Sequence, residues 1–501
     1  MSRASGLLLH PTSLPGPFGI GDLGPEARSF ADALARAGCM FWQVLPLGPT
    51  GYGDSPYQTF SAFAGNPYLI SPEDLQADGL LTPDDLAHRP AFPTAQVDYA
   101  AVIPWKRALL QRAYARFREG HFPHLEAELA AFQKNQQAWL DDFALFMALK
   151  EAHQGAPWTA WPEPLRSRDP QALARARTSL ADAVGQVVFE QFLFFRQWRA
   201  LRRFASERGV QFIGDAPIFV AHDSADVWAH PELFCLDETG QPTVVAGVPP
   251  DYFSATGQRW GNPLYCWEAH RQQGYAWWLA RLRTLLDLVD VVRLDHFRGF
   301  AAYWEVPADA PTAETGRWVP GPGAAFFAAV RDTLGAPPLI AEDLGVITPD
   351  VVALREQFGF PGMKVLVFAF DSGPGNPFLP HNYTSPNFVV YTGTHDNDTA
   401  VGWWQRASEE EKDFLRRYLA TDGRDVAWDL IRAAWRSVAK WAIAPVQDVL
   451  SLDNRARMNY PGRLGGNWAW RMEGPLPEDA LARLAEFNRV YGRWPHGGGP
   501  L

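Results

Sequence analysis

Eight short apolar segments recur along the chain, rich in branched and aromatic residues, and most of them end in a polar residue. These segments are Leu7–His10, Phe41–Leu47, Gln211–Asp215, Val289–Asp295, Pro338–Glu342, Met363–Phe370, Phe388–Asp396 and Trp441–Asp448. Nearly continuous apolar runs of this length are typical of strands that are covered on both faces of a sheet. We therefore predict eight buried strands.

Between several of these strands the apolar residues recur at helical spacing, as in Glu26–Ala37, Tyr275–Leu288 and Ala324–Leu334. Alternation of strands and helices indicates a parallel sheet with helices on its faces. Eight such units predict an α/β fold, a (β/α)8 TIM barrel, in which polar groups at the carboxyl ends of the strands meet at one mouth. We expect residues 1–501 to form one catalytic barrel with inserted, mainly helical subdomains.

Two intervals between predicted strands are too long for a single barrel helix. Residues 54–209, after the second strand, begin with an aromatic loop and continue with helical patterns, so we expect an inserted helical subdomain there. Its predicted helices are Val102–Glu119, Leu125–His153 and Pro170–Arg208. Residues 216–277, after the third strand, are rich in Asp, Pro, Trp and Gly. Because long loops in compact proteins are mostly functional, we expect this second insertion to carry a lid loop of the active site.

Composition and charge narrow the class of protein. The 501 residues carry 45 Lys and Arg against 56 Asp and Glu, and this net charge of −11 argues against a nucleic-acid partner, since phosphates would be repelled. No segment approaches the roughly 18 apolar residues of a membrane span. Cys39, Cys235 and Cys266 are too far apart for a disulfide framework or a zinc site. We expect a cytoplasmic monomer without a membrane partner.

Three local motifs suggest a cofactor or a metal, and each fails on its spacing. Gly19–Gly24 has the pattern GxGxxG, but prolines separate it from the preceding strand and no acid occurs from Ala33 to Gly53, so we interpret it as a loop. Asp396–Asp398 begins like a calcium loop but lacks the Gly and Glu required later. The eight-residue spacing of His222 and His230 is not that of zinc ligands. We predict no cofactor and no metal.

Carboxylates at strand ends are the most informative residues. Arg293 and Asp295 are two apart on the fourth strand and point to the same face, so the guanidinium keeps the carboxylate ionised. Glu342 ends the fifth strand, and Asp396 follows His395 at the end of the seventh. A single acid of this kind is explained by helix capping or by an ion pair. Three acids at one barrel mouth instead indicate an active site.

This set of acids fits chemistry on glycosidic bonds. Two carboxyl groups about 5–5.5 Å apart are typical of retaining glycosidases, which form a covalent sugar–enzyme intermediate. A third carboxylate would stabilise the positive charge that develops on the sugar ring. The 21 Trp and 14 Tyr residues add a hint, because flat rings with a polar edge suit sugar faces.

The motifs that surround these acids resemble one family along almost the whole chain. The matching motifs are HPTSLP (10–15), GYGDSPYQ (51–58), GDAPIFV (214–220), GVPPDYFSATGQRWGNPLY (247–265), VRLDHFRG (292–299), AEDLG (341–345), GTHDNDT (393–399) and MNYPG (458–462). By these motifs the chain resembles the 4-α-glucanotransferases called amylomaltases or disproportionating enzymes, glycoside hydrolase family 77, which are related to the α-amylases. The long loop motif with PPD distinguishes this family from true α-amylases.

The resemblance implies a role for each matching residue. It makes Asp295 the nucleophile, Glu342 the general acid/base and Asp396 the stabiliser of the transition state. Residues implied to contact the α-1,4-glucan are Tyr57, Asp215, Asp251, Gln258, Trp260, Arg293, His296, Asp343, Asp371, His395 and Asn459. Tyr52 is implied to belong to a secondary aromatic site where a long glucan bends. The implied partners are maltooligosaccharides, amylose, starch and glycogen.

One departure from the family pattern and two alternatives stay open. Ala255 stands where many members carry Glu, and its small side chain is expected to loosen acceptor choice or to raise hydrolysis. An α-amylase-type hydrolase would share all three carboxylates, so the acids alone do not separate hydrolysis from transfer. A carbohydrate-binding protein on a retired enzyme scaffold is the other alternative, but such proteins usually lack a catalytic acid.

Overall fold

The computed structural model describes residues 3–250, 254–463 and 465–495. Its strands are β1 (Ala4–Leu8), β2 (Phe41–Gln43), β3 (Gln211–Ala216), β4 (Val244–Val248), β5 (Gln258–Pro263), β6 (Val291–Leu294), β7 (Ala302–Pro307), β8 (Arg317–Pro320), β9 (Leu339–Ala341), β10 (Gly362–Val365), β11 (Phe388–Tyr391) and β12 (Trp441–Pro445).

The helices alternate with these strands and also fill the long interval between β2 and β3. They are α1 (Pro25–Arg36), α2 (Pro72–Ala77), α3 (Pro83–Ala87), α4 (Tyr99–Glu119), α5 (Pro123–Ala152), α6 (Glu163–Arg166), α7 (Pro170–Ser179), α8 (Ala181–Ser206), α9 (Ala225–Ala229), α10 (Trp267–Gln272), α11 (Ala276–Leu288), α12 (Arg298–Ala301), α13 (Gly323–Leu334), α14 (Pro349–Gln357), α15 (Ala400–Arg406), α16 (Glu409–Leu419), α17 (Val426–Arg436), α18 (Val446–Val449) and α19 (Glu478–Val490).

Eight parallel strands form the barrel that the hydrophobic pattern predicts. Their order in the sheet is β10-β11-β12-β1-β2-β3-β6-β9. The two ends of the sheet meet where the N–H of Ala341 donates to the carbonyl of Pro361 at 2.9 Å. The strands are buried on both faces, which explains why they read as continuous apolar runs. The eight predicted strands and the (β/α)8 barrel are confirmed.

Several strands end earlier than the apolar runs suggest. The predicted strand Phe388–Asp396 leaves the sheet after Tyr391. The Thr392 hydroxyl donates to the buried carboxylate of Asp448 at 2.5 Å. The other oxygen of Asp448 accepts from the N–H of Ala400 at 2.7 Å. The polar ends of the runs therefore belong to loops over the mouth rather than to the sheet.

Long helices occupy the first insertion, as the helical patterns predict. The helix expected at Pro170–Arg208 is two helices, α7 and α8, which meet at Leu180. Asp98 and Asp169 cap α4 and α7 through their side chains. Phe132 of α5 packs against Phe192 and Phe195 of α8. The treatment of residues 54–209 as a separate subdomain stays a prediction.

A second, antiparallel sheet lies outside the barrel and includes two strands of the second insertion, β4 and β5. Its strand order is β5-β4-β7-β8, so it joins residues of the second insertion to strands from the connection between β6 and β9. The central pairing, between β4 and β7, joins segments far apart in the sequence, and the strands include Gly, Asn and Pro, residues with low strand propensity. The pairing of distant segments stabilises them, and local sequence patterns do not reveal it. Within the described residues, no helix is both long and apolar enough to cross a membrane.

Candidate active site

The carboxyl ends of β3, β6 and β9 bring the first acids together. Arg293 pairs in register with Ile340, so the residues that follow the two strands lie side by side. The N–H of Asp295 donates to the carbonyl of Ala216, and the N–H of Glu342 donates to the carbonyl of Leu294, both at 3.0 Å. These backbone bonds fix the two predicted catalytic acids at one edge of the sheet.

Arg293 holds two carboxylates at the mouth. Its guanidinium is 2.9 Å from Asp295 and 2.7 Å from Asp215, which is itself fully buried at its side chain. Tyr57, from the loop after β2, donates its hydroxyl to Asp215 at 2.7 Å. Because both oxygens of Asp215 are occupied by Arg293 and Tyr57, Asp215 orients these two side chains, and the partly exposed carboxylate of Asp295 faces the opening.

Glu342 has a different environment from Asp295. Its carboxylate accepts the backbone N–H of His296 at 2.8 Å and that of Leu344 at 2.9 Å. Desolvation, opposed by Arg293 and reinforced by the negative charge of Asp295, raises the pKa of Glu342 to about 7. At neutral pH this carboxyl group can therefore carry a proton, whereas Asp295 lies 2.9 Å from the Arg293 guanidinium.

His296 takes a backbone conformation that is rare for a residue with a side chain. Its φ is +51°, in the left-handed region, and this turn directs its N–H at Glu342. Its ring meets the edge of Trp260 from β5 at 4.8 Å. Desolvation lowers the pKa of His296 to about 4, so the ring is neutral near pH 7. Its buried Nε2 has no partner among the described residues and is free to bond a ligand hydroxyl.

Asp396 completes the set of acids from the loop after β11. Asn459 donates to its carboxylate at 2.6 Å, and Nε2 of His395 lies 3.4 Å from it. Desolvation raises the pKa of Asp396, but His395 and Asn459 outweigh that effect and hold it at about 2. Arg457 donates to the backbone carbonyl of Asp396 at 2.6 Å and fixes the loop. Asp396 is thus a permanent anion beside the opening.

Aromatic rings border the same opening. Tyr57 stacks on His395 with ring centroids 5.1 Å apart and lies 5.6 Å from Trp468. Trp468 and Arg457 were not singled out from the sequence, although both flank the motif at 458–462. The many aromatic residues of that segment were the only sequence signal for a sugar contact there. Their position at the mouth depends on the path of a loop, which only the tertiary structure sets.

The remaining predicted contact residues lie in different surroundings. Gln258 accepts from the indole N–H of Trp260 at 3.2 Å. Asp343 is turned away from Glu342, with its oxygens bonded to Arg355 at 2.5 Å and to the N–H of Met363 at 2.7 Å, so its contact with a ligand stays a prediction.

Two predicted contacts are more exposed, and one lies outside the described residues. Asp371 is exposed and accepts from Asn376 at 2.9 Å. Tyr52 is 75% exposed on the loop after β2. Asp251 lies outside the described residues, as do the next two residues of the expected lid loop, Tyr252 and Phe253. The described residues contain no cluster of three or more His, Cys, Asp or Glu suited to a metal ion.

Comparison with known proteins places this site in a family. The family model of glycoside hydrolase family 77, described as 4-alpha-glucanotransferase, matches residues 9–477. A 4-alpha-glucanotransferase of Thermus thermophilus is 56% identical over 97% of this chain and 98% of its own length. One from Synechocystis sp. is 52% identical, with 98% of each chain covered. The solved amylomaltase of Streptococcus agalactiae in complex with acarbose has 39% identity and a TM-score of 0.95, over 99% of this chain and 100% of that one.

Proposed function

The chain belongs to the 4-alpha-glucanotransferase family, glycoside hydrolase family 77, and on that premise we propose how its barrel mouth performs the transfer. The activity is that of a 4-α-glucanotransferase, and the α-amylase alternative is set aside. The observation that carries the mechanism is the contrast between two acids on neighbouring strands. Glu342 has a pKa of about 7, while Asp295 lies 2.9 Å from Arg293. Two carboxyl groups in such different environments suit an acid and a nucleophile.

In the first step the donor glucan is cleaved. The carboxyl proton of Glu342 goes to the glycosidic oxygen, while a carboxylate oxygen of Asp295 attacks the anomeric carbon. The bond between that carbon and the glycosidic oxygen breaks, and the leaving chain departs with a new 4-hydroxyl group. Asp396, ionised at any working pH, stabilises the positive charge that develops on the sugar ring.

In the second step an acceptor takes the bound segment. Its 4-hydroxyl gives a proton to Glu342 and attacks the anomeric carbon, and the ester bond to Asp295 breaks. The α-linkage is restored because two inversions take place at one carbon. A 4-hydroxyl at the far end of the bound segment itself would give a cyclic glucan. A long acceptor competes well with water because many contacts hold it in place.

We propose α-1,4-glucans as donor and acceptor, held at the cleavage point by Arg293, His296 and His395. Trp260 and Tyr57 present rings at the same opening, and Nε2 of His296 is unbonded among the described residues. Gln258 and Asn459 lie within reach of these rings and acids. Asp251, Asp371 and Tyr52 are proposed as contacts of the outer sugar units.

A monomeric, cytoplasmic enzyme without a nucleic-acid partner is also proposed. The net charge of −11 supports the absence of nucleic acid. Cys39, Cys235 and Cys266 form no disulfide, as suits a reducing compartment. Light scattering on the purified chain tests the oligomeric state, and a mass of twice 55.9 kDa would contradict the monomer.

Incubation with pure maltotriose tests the proposed reaction. The product ladder and the total reducing ends are followed together. We expect longer oligosaccharides and glucose to form while the number of reducing ends stays constant, because every broken linkage is remade. Reducing ends that rise without a ladder would overturn the proposal, since water would then take the bound segment.

A further inference from the structure

A pair of exposed apolar side chains stands on the rim of the barrel mouth. Trp318 on β8 is 38% exposed, and Val346 in the loop after β9 is 53% exposed. Large apolar side chains with this exposure are few among the described residues, and the others are Tyr52, Val438 and Val490. Trp318 and Val346 share a neighbour: the Arg298 guanidinium lies 3.7 Å from the Trp318 ring centre and donates to the Val346 carbonyl.

This pair is continuous with the catalytic loops. Arg298 follows His296 by two residues, and Val346 follows Glu342 by four. The end of β8 is held against the same segment, because the N–H of Gly321 donates to the carbonyl of Ala301 at 2.8 Å. A Cβ at Gly321 would lie 2.4 Å from the carbonyl oxygen of Phe300, so only glycine permits this approach. The rim beside Glu342 therefore carries the Trp318 ring in a set position.

The ring is held on one face and one edge. Arg298 is only 6% exposed and forms no ion pair within 4 Å among the residues described; its guanidinium stacks on the ring and donates to the carbonyls of Val346 and Ala302. Trp304 meets the ring edge at 5.2 Å and is itself fixed by a 2.8 Å hydrogen bond to Ala313. Trp318 keeps 38% of its surface exposed while it is held by these contacts. A rigid indole face of this kind is suited to the apolar face of a sugar.

We propose that Trp318 and Val346 form an outer glucan subsite on the acceptor side of the cleft. This inference rests on the proposed function and deepens it. The general acid donates to the leaving oxygen, so the leaving chain and the later acceptor lie on the side of Glu342. Val346 belongs to the loop of Glu342, and Trp318 lies beside it. A glucan that extends beyond the nearest acceptor sugars stacks one ring on Trp318, while maltotriose is too short to gain from it.

The variant Trp318→Ala, compared with the wild type, tests this subsite. Transfer is measured with amylose and, separately, with maltotriose, and both enzymes are first checked for the maltotriose ladder. We expect KM for amylose to rise about five- to tenfold, the loss of one ring stack, with little change in kcat. The KM for maltotriose does not rise with it. Trp318→Phe, which keeps a flat ring, recovers most of the amylose affinity.

Val490→Ala is the matched control, because it removes an exposed apolar side chain on α19. It leaves the ratio of the two KM values at the wild-type level. Equal KM values for amylose in Trp318→Ala and wild type would overturn the subsite, as would a parallel rise for both substrates. A wild type that makes no maltotriose ladder would instead overturn the proposed function. Thermal unfolding of each variant shows whether a change in KM comes from the ring or from loss of the folded protein, since unfolding would not raise KM selectively for amylose.

Discussion

The backbone N–H of His296 donates to the carboxylate of Glu342 at 2.8 Å, and His296 takes a φ of +51° to do so. His296 directly follows the proposed nucleophile, Asp295, and thus positions the proposed acid, Glu342, at the end of the neighbouring strand. A backbone donor does not depend on residue type, but the left-handed turn is strained for any side chain except glycine. That strain is maintained by the barrel, because the next N–H, of Phe297, bonds the backbone carbonyl of Glu342 at 3.0 Å.

The alkaline limb of the pH profile is expected to report Glu342. The first step requires its proton, and the pKa of this carboxyl is raised to about 7 by desolvation. We expect kcat/KM for maltotriose to be constant below that value and to fall about tenfold per pH unit above it. Initial rates from pH 5 to about 9 check this. A rate that stays level to the alkaline end would show that Glu342 is not the acid.

Glu342→Gln tests the same group through stability. The pKa of Glu342 is raised from 4.5 to about 7, so its contribution to stability is complete below pH 4.5 and is lost as the pH rises through 7. A neutral Gln has no such loss. Between pH 4.5 and about 7 we expect the free energy of unfolding of the variant to rise relative to that of the wild type, by up to about 1.4 kcal/mol per pH unit. Denaturant unfolding at pH 5 and pH 8 measures the difference, and equal pH dependence in both proteins would contradict it.

Asp295→Asn is expected to abolish turnover while glucan binding survives. An amide cannot form the covalent intermediate, so kcat falls below about 1% of the wild-type value. Arg293 keeps Asp215 as its partner, so the mouth retains its shape. Rates with maltotriose check the loss of turnover, and titration calorimetry with maltoheptaose checks that glucan binding survives. Activity above that level would refute the assignment of Asp295 as nucleophile.

Asp215→Asn should destabilise the protein more than the loss of an exposed pair. Asp215 and Arg293 are both buried at their side chains, and the variant leaves the guanidinium with the partly exposed Asp295 alone. Removing one partner of a buried ion pair costs about 3–5 kcal/mol. Asp413→Asn, in an exposed helical pair with Arg417, is the control and costs under about 1 kcal/mol. Similar midpoints of urea unfolding for both variants would argue against a structural role of Asp215.

Ala255→Glu is expected to favour transfer over hydrolysis. Ala255 is exposed in the turn that follows the PPD segment, next to Gly257 in a left-handed conformation. The family resemblance implies Glu at this position, so a carboxylate there is expected to add a contact to the acceptor. We expect the ratio of transfer to hydrolysis, measured as ladder products against new reducing ends, to rise. An unchanged ratio would show that the lost acid does not govern the fate of the intermediate.

Sequence patterns predicted the barrel well and the lid region poorly. The eight apolar runs became the strands of the barrel because burial on both faces leaves a strong local signal. The antiparallel sheet that carries Trp260 was missed because its central pairing joins β4 to β7, whose partners such as Val244 and Pro307 are far apart in the sequence. The three acids were found because strand ends in a barrel converge. Trp468 and Arg457 were not, because their loop has no such constraint.

The sequence by itself determined the fold class and singled out the three candidate acids. Apolar periodicity and residue type are local properties, and a carboxylate that directly follows a buried barrel strand lies at the mouth formed by the strands' carboxyl ends. Only the tertiary structure decided how those acids differ. The N–H of His296 reaches the carboxylate of Glu342 across 46 residues of sequence, and the amide of Asn459 reaches that of Asp396 across 63. A pKa depends on desolvation and on charges nearby in space, and the local sequence reveals neither.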